Sequence, residues 1–125
     1  MPSRNRRGVS RPSAPPHLIV QVRLFGPSEG GRKHPVTSGY RPQASFGERE
    51  GRVPLMYGFQ LDLFDREWLK LGEMSRARLT PTSPNRWAEL KVGDRIRIYE
   101  GRSHVGDAYV SELHLTPDLM PGTAD

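Results

Sequence analysis

Leu18–Phe25 reads LIVQVRLF, and its alternation decides the fold class. Leu18, Val20, Val22 and Leu24 recur at every second position, while Ile19, Gln21, Arg23 and Phe25 fall between them. A period of two places one apolar row on one face of an extended strand. The same period returns further along the chain. Phe59, Leu61 and Leu63 alternate with Gln60 and Asp62; Ser75, Ala77 and Leu79 with Met74, Arg76 and Arg78; Ile96 and Ile98 with Arg95, Arg97 and Tyr99. A second strand is predicted through Tyr40 to Phe46. A last one covers His104 to Leu115, with Gly106 as a bulge or close-packing point. Gly26-Pro27, Gly51, Gly72, Gly93-Asp94 and Gly101 punctuate the series as turn signals. Arg66 to Leu71 is the one stretch that reads as a helical turn. Six short strands with turns between them predict an all-β fold, a small antiparallel barrel or sandwich.

Composition bounds the answer from the other side. A chain of 125 residues supports one domain and one modest core. Hydrophobic residues make up 34% and charged residues 26%, which fits a soluble domain on the polar side. No run of about 18 apolar residues occurs, so no membrane-spanning helix is expected. With no cysteine, disulfides, thiolate catalysis and cysteine-ligated metal are excluded. Of the formal charge of +5, Arg4, Arg6, Arg7 and Arg11 supply four, leaving +1 for residues 17 to 125. Residues 1–16 also carry Pro2, Pro12, Pro15 and Pro16 and no acid, a composition that builds no core. They read as a disordered basic arm, without the apolar stretch of a secretory signal. Three readings of the arm stand: added affinity for nucleic-acid phosphates, a solubilising tail, or an organelle transit peptide. Residues 117–125 read as a flexible C-terminal tail.

Glu29 to Gln43 reads EGGRKHPVTSGYRPQ. This run resembles the opening of the third, C-terminal β-barrel domain of elongation-factor-Tu-type translation factors, whose pattern is close to EGGRHTPFxxGYRPQ. Leu71 to Pro84, LGEMSRARLTPTSP, is loosely similar to the family's PGDNVKMTVELIHP. Gly93 to Gly106, GDRIRIYEGRSHVG, is similar to GLRFAIREGGRTVG. The three segments follow the family's order and spacing. The resemblance implies a small closed antiparallel β-barrel of about six strands over residues 17–116. It also implies that the chain corresponds to that barrel alone, without the GTPase domain.

Local explanations account for several motif residues. Gly30 and Gly31 suit positive-φ backbone in a tight loop. Pro42 suits a strand start or edge. Tyr40 suits a ring packed on the barrel with its hydroxyl satisfied at the rim. Arg32 and Arg41 have Glu29 and Glu100 as candidate internal partners.

The resemblance further implies contact with RNA. In the family, residues matching Arg32, Gln43, Glu100 and Gly101 lie where the barrel meets the T-stem backbone of tRNA. Arginine clamps phosphate through two charge-assisted hydrogen bonds. Glutamine and glutamate bond ribose 2′-hydroxyls, which is recognition of A-form shape. Lys33, Arg41, Arg95, Arg97 and Arg102 extend the basic rim. In the family the same barrel contacts the GTPase domain and the exchange factor elongation factor Ts. The second expectation is therefore a protein-interaction module, a decoy or adaptor, with Arg97 and Tyr99 at the interface.

The chain departs from the family at definite places. Arg102 stands at the second glycine of the pair and Ser103 at the following arginine. The turn is shortened to Gly47–Gly51, the aromatic run becomes Ala44-Ser45-Phe46, and Arg97 replaces a small alanine. No GxxxxGK[ST] loop occurs, so no nucleotide is expected. His17, His34, His104 and His114 lack metal-ligand spacing, and the His104–Asp107 pairing has no activated serine. The expectation is a non-catalytic, cofactor-free, cytoplasmic, translation-linked binding module. Its partner is tRNA or another A-form stem, or alternatively an elongation factor.

Overall fold

The computed structural model describes residues 14–46 and 55–115. The strands are β1 (His17–Leu24), β2 (Val36–Thr37), β3 (Gln43–Ser45), β4 (Tyr57–Leu63), β5 (Trp68–Leu69), β6 (Met74–Pro81), β7 (Arg95–Glu100) and β8 (Ser103–His114). Six of them close an antiparallel barrel in the order β1-β6-β4-β3-β7-β8, and β1–β8 pairing completes the ring. Closure leaves the barrel without an unpaired edge. The short strands β2 and β5 pair with each other as a separate ribbon.

The period-two residues fill the interior. Leu18, Val20, Val22 and Leu24 of β1 are fully buried, as are Leu61, Ala77, Leu79, Ile96, Ile98 and Ala108. Each full burial of a leucine or isoleucine contributes about 1.5–3 kcal/mol. One mouth of the barrel is covered by Trp87, which a 3₁₀ turn over Pro84–Trp87 lays against Phe46 and Phe59 with ring centroids 4.9 and 5.8 Å away. The other mouth lies at the β7–β8 turn. There Val36 and Leu69 of the ribbon point into the core while their neighbours Thr37 and Trp68 face outward.

Two glycines are dictated by close approach. A Cβ on Gly106 would lie 2.6 Å from the Arg23 carbonyl oxygen, where β8 crosses β1 next to a bulge in the β7–β8 ladder. A Cβ on Gly31 would lie 2.2 Å from the Phe25 carbonyl oxygen. That proximity corrects one expectation. Gly30 has positive φ (78°) but Gly31 does not, and Gly31 is required by contact rather than by torsion.

Two further expectations change. Arg66 to Leu71 forms no helical turn: Trp68–Leu69 is strand β5, entered through Asp65 in the left-handed region (φ 58°). Burial of Leu69 and pairing with Val36–Thr37 override local preference. The strand predicted over Tyr40 to Phe46 is regular only at Gln43–Ser45, with Tyr40 joined to Leu61 by an isolated bridge. Pro42 stands just before β3, as a strand-start proline should, and its carbonyl accepts from Phe59 N at 3.3 Å. Most of the basic arm, the shortened turn at 47–51 and the C-terminal tail lie outside the described residues.

Candidate nucleic-acid interface

The site is built around Glu100, the last residue of β7. Its Oε2 accepts hydrogen bonds from Arg32 Nη1 and from the Tyr40 hydroxyl. The Arg32 guanidinium also lies over the Tyr40 ring, 5.2 Å from its centroid, and its Nε donates to the His34 carbonyl at 3.0 Å. Local structure sets each member. Arg32 is fixed by its backbone N–H donating to the Phe25 carbonyl at 2.9 Å, an approach that Gly31 permits. Tyr40 is fixed by the bridge to Leu61, and Glu100 by the turn through Gly101 (φ 61°). Burial, followed by the bond to the Glu100 carboxylate, pushes the Tyr40 phenol well above its ordinary value of about 10. Tyr40 therefore stays a donor across the physiological range.

This arrangement changes which charges face solvent. Glu100 is neutralised by Arg32 within the protein. Lys33 directly follows Arg32, Arg41 directly follows Tyr40, and Arg102 lies two residues after Glu100. All three are exposed, and each is a near chain neighbour of a member of the Arg32–Tyr40–Glu100 contact. Gly101 and Arg102 form the tip of the β7–β8 turn there. Arg41 Nε donates to Gln60 Oε1 at 3.1 Å, and the Gln60 amide donates to Asp62 at 3.1 Å. Arg41 and Gln43 line a shallow cleft of about 350 Å³ with Gln60, Thr80 and Thr82. Its polar lining is amide and hydroxyl, apart from the one guanidinium.

Gln43 is exposed and pairs in register with Tyr99, which pairs in turn with His104. The Tyr99 and His104 rings stack at 5.3 Å and 22°. Asp107 accepts from His104 Nε2 at 2.9 Å and from Arg95 Nη2 at 3.1 Å. The expected His104–Asp107 pairing is thus present, as part of a larger outer-wall cluster. Arg97 lies one row further along, opposite Asp107 and Ser45. The residues expected to touch RNA and those expected to touch protein are therefore contiguous, with Tyr99 between Gln43 and His104. Of the candidate internal partners, Glu100 takes Arg32, whereas Glu29 pairs with Arg23 at 3.0 Å and Arg41 with Gln60.

Trp68 escaped the sequence reading. It is 48% exposed and borders a second cleft, beside Arg32 and Tyr40. The available signal was a tryptophan-leucine pair set between Asp65-Arg66-Glu67 and Lys70, an alternation too short to recognise. Among the described residues no group of His, Asp or Glu is arranged to hold a metal ion, and no helix is long and apolar enough to cross a membrane. No protein-family model matches this chain, and no curated protein matches it.

Proposed function

We infer that this chain is a non-catalytic binding module that grips the backbone of a structured RNA, of which tRNA is the first to test. The observation that carries this reading is that Lys33, Arg41 and Arg102 are exposed while Glu100 is paired internally with Arg32. Exposed cations on three separate segments suit phosphates, while Gln43 with the Thr80 and Thr82 hydroxyls, in the cleft that Arg41 lines, suits ribose. In this reading Glu100 is the counter-ion that sets Arg32 and Tyr40, and Gly101 lets the turn approach a backbone closely. The resemblance to the elongation-factor barrel supports a translation-linked role in the cytoplasm. Such contacts position an RNA without reading its sequence.

The test is an anisotropy titration of labelled tRNA across a salt series, with the full chain and with a form beginning at His17. Saturable binding in both forms is expected. Combining Lys33→Ala, Arg41→Ala and Arg102→Ala should flatten the log–log salt slope by about 2. Equal slopes in parent and triple variant would move the site away from this rim.

A second reading rests on the outer-wall cluster. Tyr99 and Arg95, of residue types enriched where proteins meet, lie with His104 and Asp107 in one cluster that would face a protein partner, such as an elongation factor Tu GTPase domain or its exchange factor. Arg97→Ala should then alter association with that factor and leave tRNA binding unchanged.

A further inference from the structure

We propose that the cleft between the β2–β5 ribbon and the Arg32–Tyr40 pair takes one unstacked nucleotide of the bound RNA, its base lying on the Trp68 indole. This inference rests on the RNA reading and specifies the ligand of that site: a stem with an unpaired nucleotide beside it. The cleft has a volume of about 340 Å³ and is lined by Arg32, Val36, Thr37, Ser38, Tyr40 and Trp68. That is near the lower end of small-ligand pockets, about 300–1,000 Å³, and suits a single nucleotide rather than a longer segment.

Its composition separates the two halves of a nucleotide. Trp68 projects from β5 opposite Thr37, and its neighbour Leu69 anchors the strand in the core, so the indole is exposed on a fixed backbone. Arg32 lines the same cleft, its guanidinium over the Tyr40 ring. Its Nη1 and Nε are committed to Glu100 and His34, which leaves Nη2 to meet a phosphate, with Lys33 next in the chain. Thr37 and Ser38 also line the cleft; the Ser38 hydroxyl accepts from the Leu63 N–H at 2.8 Å and keeps its own proton to donate. Glu67, beside Trp68, is exposed and does not line the cleft. Stacking on an indole accepts any base, so the preference is for an unpaired nucleotide and not for a sequence.

The chain reports on this event itself. Trp68 is exposed and Trp87 is fully buried, so the iodide-quenchable, red-shifted part of the tryptophan emission belongs to Trp68. The experiment compares two RNA hairpins, one blunt and one with a three-nucleotide single-stranded tail, against the full chain. The tailed hairpin should bind at least fivefold more tightly and should quench the exposed component. Trp68→Ala should abolish the preference while leaving blunt-hairpin affinity unchanged, and Trp68→Phe should retain part of it. Equal affinity for the two hairpins, with exposed emission unmoved, would overturn the cleft and leave the RNA reading standing. Failure of both hairpins and tRNA to bind would overturn both readings. Quenching by an elongation factor without any RNA preference would give the indole to a protein.

Discussion

Replacing Glu100 with glutamine separates a counter-ion from an RNA contact. The amide keeps the shape of the side chain and can still accept from Tyr40 and Arg32, but the charge is gone. Hydrogen bonds to charged groups contribute about 1.5–3 kcal/mol and neutral ones about 1. Glu100 is 36% exposed and Arg32 22%, so screening by solvent cuts the difference. A net destabilisation of about 1 kcal/mol follows, which for a domain of this size lowers the melting temperature by about 4 °C. The effect on RNA has the opposite sign. Loss of the carboxylate removes a negative charge from the rim and leaves the Arg32 charge uncompensated, so that it can meet a phosphate. One added phosphate contact steepens the log–log salt slope by about 0.7–0.9, or roughly fivefold tighter binding near 0.1 M salt. Differential scanning fluorimetry and anisotropy titrations at four salt concentrations read both quantities. Weaker binding by Glu100→Gln would refute the reasoning, because it would make the carboxylate itself a contact to RNA.

Other consequences can be checked independently. Gly106→Ala and Gly31→Ala should each cost about 1–3 kcal/mol or prevent folding, since the added methyl meets backbone oxygen at 2.6 and 2.2 Å; urea midpoints within 0.3 M of the parent's would contradict this packing. The raised Tyr40 phenol favours the folded state while it remains protonated. That stability is fully present below the unfolded phenol value of about 10 and is lost as pH rises through the higher folded value. Between pH 9 and 11 the parent should therefore lose more stability than Tyr40→Phe, and parallel losses would argue against the buried hydrogen bond. Lys33→Ala and Arg102→Ala taken singly should each lower the salt slope by about 0.7–0.9 without moving the melting temperature. A change in melting temperature without a change in slope would make either cation structural.

The barrel was legible because its strands obey one rule. Alternation in Leu18–Leu24, Phe59–Leu63, Ser75–Leu79 and Arg95–Tyr99 names the inward residues, and the structure buries the apolar set of β1 without exception. A side-chain period of two follows from strand geometry, so it needs no knowledge of the partner strand. The close-packing role of Gly106 was legible for a similar reason, since a glycine inside a strand has few other uses. The β2–β5 ribbon was not legible. Two-residue strands carry no period, and Trp68–Leu69 becomes extended only because Val36–Thr37 lies beside it.

The sequence by itself determined the six strands of the barrel, the apolar face of the main ones and the chemical types available at the motif residues. Which of those residues act together was a tertiary decision. Glu100 lies 68 positions from Arg32 and 60 from Tyr40, and only barrel closure brings those two side chains to its carboxylate oxygen. That contact pairs Glu100 with Arg32 inside the protein. It also sets Arg32 beside an indole that the sequence pattern had assigned to a helical turn. Local periodicity reports what a segment buries. Charge pairing depends on distances of a few ångströms between segments, and those exist only after the barrel has closed.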